Sequence, residues 1–353
     1  LIVQGIQKLV ERKDLTGEEA RQIMEEIMSG RVSDSQVAAF LTALRMKGET
    51  VEEITMFAKT MKNFCRSVHI DNAKRIVDTC GTGGDRLQTF NISTTVAFVV
   101  AGAEITVAKH CNRSVTSKSG SADVMEKLGL RLEEQRPAIV EKSLREVGIG
   151  FMFAPVFHPA MKRVAGPRRE MSVRTVFNIL GPLVNPADAN ACVLGVYSPK
   201  LAVPISKVLG NLGCEEAMVV HGMDGMDEIS ISSQTMISRL HDGEITQCEV
   251  SPKTFGIEPS RLEDLTVSSP DESAEAAFKI LNGLEANSAK RNAVLVNGAA
   301  GVMVGGKADD FRYGMEVAGE SIKSGLAYRK LKSMIKNCGG QLSELEEMER
   351  KFG

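Results

Sequence analysis

From Lys74 onward the chain repeats one rhythm: a short apolar run, a turn, a helix-length apolar segment and another short apolar run. R-I-V-D leads into the glycine cluster of D-T-C-G-T-G-G-D, T-T-V-A-F-V-V-A-G reads as a buried helix, and E-I-T-V-A-K as the next strand. The rhythm returns in A-C-V-L-G-V-Y, a helix through Leu201 to Leu212, and E-A-M-V-V-H-G. Strands joined through helices run parallel in one sheet, with the helices covering its faces. M-I-S-R-L-H-D-G-E-I-T-Q-C-E-V instead reads as an antiparallel hairpin around an Asp-Gly turn, before helices resume near Pro270. The expected fold is therefore α/β, with a mixed, mostly parallel sheet flanked by helices.

The first seventy residues are different. Thr16 with Glu19, Ser33 with Gln36 and Thr50 with Glu53 are three capping boxes, each followed by apolar residues at helical spacing. Gly30 and Gly48 stand where helices end. A chain of 353 residues has room for two domains. The expected division is a small all-α domain over 1–70 and a large α/β domain over 71–353 that carries the glycine-rich and cationic loops, the candidate phosphate-binding loops. S-V-R-T-V-F-N-I-L-G-P predicts a helix closing at Gly181-Pro182, and a segment of about 165–185 is expected to pack back and complete the helical part.

Net charge of −2 argues against a dedicated nucleic-acid binder, which carries a basic excess. The seven cysteines form no C-x-x-C pair, so neither a zinc ribbon nor a disulfide framework is expected; reduced thiols in a cytoplasm fit. The most apolar run, Thr94 to Ala103, is too short to cross a bilayer, and no membrane association is expected.

Four stretches carry chemistry. D-T-C-G-T-G-G-D follows a strand, and its glycines let backbone amides approach an anion; a tight surface turn is the competing reading. T-F-N-I-S-T-T continues it with a helix start whose amides and hydroxyls face the same point, or in which Ser93 or Thr94 simply caps the helix. A-K-H-C-N-R-S-V-T-S-K-S-G-S is cationic and rich in hydroxyls, suited to a polyanion or merely solvated. His110 and Cys111 lack partners at metal-ligand spacing, and neighbours on a strand face opposite ways, which disfavours a nucleophile pair. If accessible, the Cys111 thiol is expected to have a lowered pKa among those cations. H-G-M-D-G-M-D-E-I-S offers Asp227 and Glu228 as hard oxygen ligands of the kind Mg²⁺ uses beside phosphates, or as an acidic turn. F-H-P-A-M-K-R-V-A-G-P-R-R-E brings Lys162, Arg163, Arg168 and Arg169 as cations for an anionic substrate or as a plain basic loop.

In this order and spacing, these motifs together with R-T-V-F-N-I-L-G-P-L-V-N-P resemble the anthranilate phosphoribosyltransferase family, from the amino-terminal helices to about Ser230. The resemblance implies the architecture shared by nucleoside phosphorylases and class II-like phosphoribosyltransferases, and a homodimer formed through the helical part. It implies that the amine of anthranilate displaces pyrophosphate from phosphoribosyl pyrophosphate, with Mg²⁺, in tryptophan biosynthesis. By position, Gly81, Gly84, Asp85, Thr89, Asn91, Ile92, Ser93, Thr94, Lys109, Arg113, Ser117 and Ser121 would hold phosphoribosyl pyrophosphate. Asn112 and Arg168, with Gly81, His110 and His158, would meet anthranilate, and Ser93, Asp227 and Glu228 would meet the metal. Lys109 and Arg113 would supply electrostatic stabilisation, with no covalent nucleophile. Three departures stand out: Cys111 and Arg86 where the family usually has glycine, and Gly166-Pro167 where it has another dipeptide. The rival enzyme, a pyrimidine nucleoside phosphorylase, carries a glycine-rich sequence where this chain has Asn112-Arg113-Ser114. A non-catalytic nucleic-acid-binding relative would show a basic surface and eroded motifs.

Overall fold

The computed structural model describes residues 1–70, 73–83, 87–113 and 119–353. Four helices come first: α1 (Ile2–Val10), α2 (Gly17–Ser29), α3 (Asp34–Lys47) and α4 (Val51–Lys62). All three capping boxes are formed, each hydroxyl accepting from the backbone three residues on while the Glu or Gln there reaches back. Gly30 ends α2 at a φ of 72°, a left-handed conformation that glycine adopts without a Cβ clash.

The sheet follows, built from β1 (Ile76–Gly81), β2 (Thr106–Cys111), β3 (Ile149–Phe153), β4 (Ala191–Gly195), β5 (Glu216–Gly222), β6 (Thr235–His241) and β7 (Glu244–Val250). Its order is β3-β2-β1-β4-β5-β6-β7. The first five are parallel, and β6 and β7 pair antiparallel as the alternating hairpin predicts. Asp242 and Gly243 both take positive φ at the turn, the backbone twist that a two-residue hairpin requires. Between and after the strands lie α5 (Ile92–Gly102), α6 (Ser121–Lys127), α7 (Pro137–Glu146), α8 (Ala154–Phe157), α9 (Lys162–Met171), α10 (Phe177–Leu180), α11 (Ala202–Asn211), α12 (Pro270–Leu281), α13 (Ala289–Val304), α14 (Phe311–Lys323), α15 (Leu326–Asn337) and α16 (Ser343–Phe352).

Both faces of the parallel part of the sheet are covered, which is why β1 to β5 read as near-continuous apolar runs, whereas β7 is exposed along most of its length. On β4, Ala191 and Val193 face the cluster containing α5 and α13, while Cys192 and Leu194 face the opposite cluster with α11 and the amino-terminal helices. α5 is buried almost all round, wedged between sheet, α13 and α15. Val164 of α9 and Val176, Phe177 and Leu180 share the apolar cluster of α1–α4. The helix expected to run up to Gly181-Pro182 is shorter than its pattern suggests. Ser172, with a φ of 51°, ends α9, the Thr175 amide donates to Asn178 Oδ1 at 2.9 Å, and only Phe177–Leu180 is α-helical before a 3₁₀ turn at Gly181–Leu183. Among the described residues no helix is long and apolar enough to cross a membrane.

Candidate active site

The parallel strands all deliver their carboxyl ends to one edge of the sheet, and β1 has later strands on both sides of it. Ligand crevices in open α/β sheets form at such a switch point. A cleft of about 500 Å³ lies there, lined among others by Gly81, Gly83, Thr89, Asn91, Ile92, Ser93, Lys109, His110, Asn112, Arg113, Ser121, His158, Arg168, Asp227 and Glu228. Motifs spread over nearly 150 residues of sequence therefore converge on one cavity because the topology stacks their strand ends side by side. Gly84, Asp85, Arg86 and Ser117 lie outside the described residues.

Lys109 forms the floor. Its side chain is 1% exposed, and its Nζ donates to the Thr79 carbonyl and, at 3.4 Å, to Ser93 Oγ. The first turn of α5 stands beside it. Neither Ser93 nor Thr94 caps that helix: Asn91 is the N-cap residue and makes no capping side-chain bond. Its amide is committed elsewhere, Oδ1 accepting from Ser119 Oγ and Ser273 Oγ at 2.8 Å each while Nδ2 donates to the Ser119 carbonyl. Ser273 gives no sequence signal, coming from α12 182 residues downstream. Thr94 is 1% exposed and does not line the cleft.

Asp227 and Glu228 reach the same point from the loop after β5. Asp227 Oδ2 accepts from the Gly83 amide at 2.8 Å, and Glu228 Oε1 from the Ser93 amide at 3.2 Å. The two amides expected to face phosphate thus both donate to carboxylates, as the positive end of a helix and a glycine turn favour any nearby anion. The close approach depends on two glycines. A Cβ on Gly81 would lie 2.5 Å from Asp227 Oδ2, and one on Gly195 would lie 1.5 Å from the Asp227 carbonyl oxygen. Gly195 belongs to A-C-V-L-G-V-Y, where the sequence shows only a strand.

Another part of the lining is apolar and cationic. Arg168 is mostly buried, its guanidinium 5.4 Å from the centre of the Phe177 ring, and it makes no hydrogen bond or ion pair to another described residue. Burial lowers its pKa. Pro167 sits inside α9 and leaves Arg168 on the cleft, so the Gly166-Pro167 departure does not remove it. Lys162 also lines the cleft. Arg113 is engaged differently. Its guanidinium binds Glu126 through two bonds at 2.7 and 2.8 Å and Asp123 at 3.1 Å, which raises its pKa, and it lies over Phe153.

His110 and His158 pack ring to ring, centroids 4.9 Å apart. His110 Nδ1 donates to the Gly181 carbonyl at 3.1 Å. Burial pushes the two pKa values down to about 3 and about 4. Both imidazoles are therefore neutral at ordinary pH, and no histidine titration near 6.5 should appear in the pH dependence of activity. An unfolded imidazole does bind protons near 6.5, so as pH falls from about 7 toward 4 the unfolded chain takes up protons that these two folded side chains refuse, and stability is lost. Thermal midpoints measured from pH 7.5 to 5 should fall less steeply in the His110→Asn/His158→Asn protein than in the parent.

Cys111 does not meet the condition of accessibility on which a lowered pKa depends. It is buried at the end of β2 opposite Phe153, within the apolar cluster, and burial raises its thiol to about 12 despite Lys109. The removal of water outweighs the neighbouring cation. Cys111 should resist alkylation in the folded protein at pH 8, read by mass spectrometry. Cys111→Gly should retain turnover while costing about 1 kcal/mol or more of stability, through a small void and a freer strand.

The comparisons agree with this geometry. Residues 3–65 match the helical bundle domain of a glycosyl transferase family, and residues 73–328 match the a/b domain of the same family. Anthranilate phosphoribosyltransferase of Desulfosudis oleivorans is 49% identical over 333 residues, covering 94% of this chain and 97% of its own. That of Pelotomaculum thermopropionicum is 49% identical over 340 residues, covering 96% and 97%. Among solved structures, the anthranilate phosphoribosyltransferase of Thermus thermophilus superposes with a TM-score of 0.89 at 38% identity, covering 95% of this chain and 99% of that one. The Saccharomyces cerevisiae enzyme in complex with PRPP and Mg gives 0.88 at 28% identity, covering 96% and 98%. With both domain models matched in order and relatives of nearly half-identical sequence aligned along almost its whole length, the chain belongs to the anthranilate phosphoribosyltransferase family.

Proposed function

We propose that this protein transfers the phosphoribosyl group of phosphoribosyl pyrophosphate to the amine of anthranilate, releasing pyrophosphate and forming N-(5-phosphoribosyl)anthranilate for tryptophan biosynthesis. The observation that carries the reading is the pairing of two unlike walls in one cleft. A buried ammonium, a helix start and two carboxylates share it with an unpaired guanidinium lying over Phe177. The first wall suits a pyrophosphate with its metal, the second an aromatic carboxylate.

Lys109, the Gly81 turn, Thr89, Asn91, Ile92, Ser93 and Ser121 line the diphosphate side, with Gly84, Asp85 and Ser117 assigned there by resemblance; Thr94, also so assigned, does not line the cleft. Arg113 would join them on exchanging Glu126 for phosphate, a trade between two anions of similar geometry. Arg168 would hold the anthranilate carboxylate, while Asn112, His110 and His158 would border the ring. Asp227, Glu228 and Ser93 supply hard oxygens on one side of the cleft, and each carboxylate is oriented by a backbone amide, so the donor set fits Mg²⁺. Bound there, the ion would neutralise charge on departing pyrophosphate. The protein's own part is electrostatic and positional: Lys109 opposes that charge from below, and Arg168 sets the amine in line with carbon-1. An aromatic amine is unprotonated near neutral pH, so no strong protein base is required, consistent with two histidines kept neutral but carrying no charge to relay.

The test is purified protein with anthranilate, phosphoribosyl pyrophosphate and Mg²⁺, following loss of anthranilate fluorescence. Turnover that needs all three supports the reading; phosphorolysis of a pyrimidine nucleoside in its place would overturn it. The domain division near residue 70, with 165–185 joining the helical part, is supported by the apolar cluster that Val164, Phe177 and Leu180 share with α1–α4. A homodimer through that part is supported by Val3 and Val10 of α1 and Met46 of α3, large apolar side chains left exposed. Light scattering should give twice the chain mass. The free thiols suit a reducing cytoplasm.

A further inference from the structure

The ladder between β1 and β2 breaks halfway. Its register runs through Ile76↔Thr106 and Val77↔Val107, yet β1 stays paired with β4 as far as Gly81, and β2 with β3 as far as Cys111. Beyond Val77 the backbone groups that these two strands turn toward each other take side-chain partners. The Ala108 carbonyl accepts from Asn185 Nδ2 at 2.8 Å, the His110 amide donates to Asp78 Oδ1 at 3.4 Å, and the Thr79 carbonyl accepts from Lys109 Nζ. Asn185 Nδ2 also donates to Asp78 Oδ2 at 2.7 Å, and Asn185 Oδ1 accepts from the Ala187 amide at 2.9 Å. All three side chains are buried, at 2%, 6% and 1% exposure for Asp78, Asn185 and Lys109.

A buried carboxylate and a buried amide are costly inside a sheet, and an uninterrupted parallel ladder would satisfy the same backbone groups without them. What the break achieves is a gap. It opens at the strand ends that form the cleft, and it lets the Lys109 side chain lie between β1 and β2 with its ammonium at the cleft floor. We infer that Asp78 and Asn185 form a wedge that parts β1 from β2 and so positions Lys109 for the leaving pyrophosphate. They are positioning residues: neither lines the cleft, and each acts through the backbone of Ala108 and His110 on either side of the lysine. The wedge also ties β2 to the 181–187 segment, whose Gly181 carbonyl fixes the His110 ring.

This rests on the proposed activity, and the experiment separates the two. Asp78→Asn keeps the shape but sets two amide donors against each other at Asn185. In the folded variant kcat/KM for phosphoribosyl pyrophosphate should fall by about 10- to 100-fold, the scale expected for a catalytic group displaced by about 1 Å. KM for anthranilate should move little. The deciding measurement is a double-mutant cycle with Lys109→Met. Because the wedge acts through the lysine, Asp78→Asn/Lys109→Met should be no slower than Lys109→Met alone. A merely structural role would lower the melting temperature, and its losses would multiply with those of Lys109→Met; that outcome overturns the inference. Should Asp78→Asn not fold, Asn185→Ala, which leaves the carboxylate in place, enters the same cycle. Wild-type protein without turnover would sink the proposed activity; active wild type with an unimpaired wedge variant would sink the wedge alone.

Discussion

Replacing Lys109 by methionine should lower kcat/KM for phosphoribosyl pyrophosphate by about 10³-fold while the protein stays folded. Removing one preorganised donor at a developing charge costs about 10²–10³ in rate, and here a full charge is removed from a buried position. Methionine keeps most of the apolar stem, so the local loss is the ammonium and its bond to the Thr79 carbonyl, an orphaned buried acceptor worth about 1–3 kcal/mol. Part of that is returned, since a buried charge no longer has to be kept from water. Asp78, held at about 6 by burial against the opposing pull of Lys109, would lose that pull and protonate more readily. Steady-state fluorescence with a melting curve separates the effects. A folded Lys109→Met protein within threefold of wild type would remove the lysine from the chemistry.

Asp227→Asn/Glu228→Gln should be the second severe change, cutting turnover by upward of about 10³-fold, since neutralising a departing diphosphate with a metal supplies several kcal/mol. Amides keep the shapes, and their oxygens can still accept from the Gly83 and Ser93 backbone, so the loop should remain seated. Rates measured across a Mg²⁺ titration give the signature. The double variant should need far more Mg²⁺, if it saturates at all, and isothermal titration of Mg²⁺ with phosphoribosyl pyrophosphate should show the same weakening without reference to turnover. An unchanged Mg²⁺ dependence would place the metal elsewhere.

Much of the fold follows from local rules that this chain obeys. Capping boxes at Thr16, Ser33 and Thr50 mark three helix starts because hydroxyl and carboxylate satisfy amides within a single turn. The Asp242-Gly243 hairpin is legible because few residues tolerate two positive φ angles in a row. The helix before Gly181 is overestimated, since its apolar spacing says nothing of the Asn178 side chain, which takes the Thr175 amide just before the helix starts. For Cys111 accessibility decides the outcome. Its cationic neighbours in sequence suggest a lowered pKa, whereas the sheet and α5 bury it and the loss of water dominates.

The sequence by itself determined which chemical groups are present and in what order: a glycine turn after a strand, a lysine with its cationic loop, an Asp-Glu pair and an arginine. It determined their local geometry too, because turns, caps and strand periodicity depend on neighbours a few residues away. Only the tertiary structure decided that these groups share one cleft, since strand order places β1 between β2 and β4. The same holds for Gly195, which yields to Asp227 in a later loop, and for the Asp78–Asn185 wedge, whose members are 107 residues apart. Such contacts are set by how strands part and loops cross, a matter of packing that no local pattern encodes.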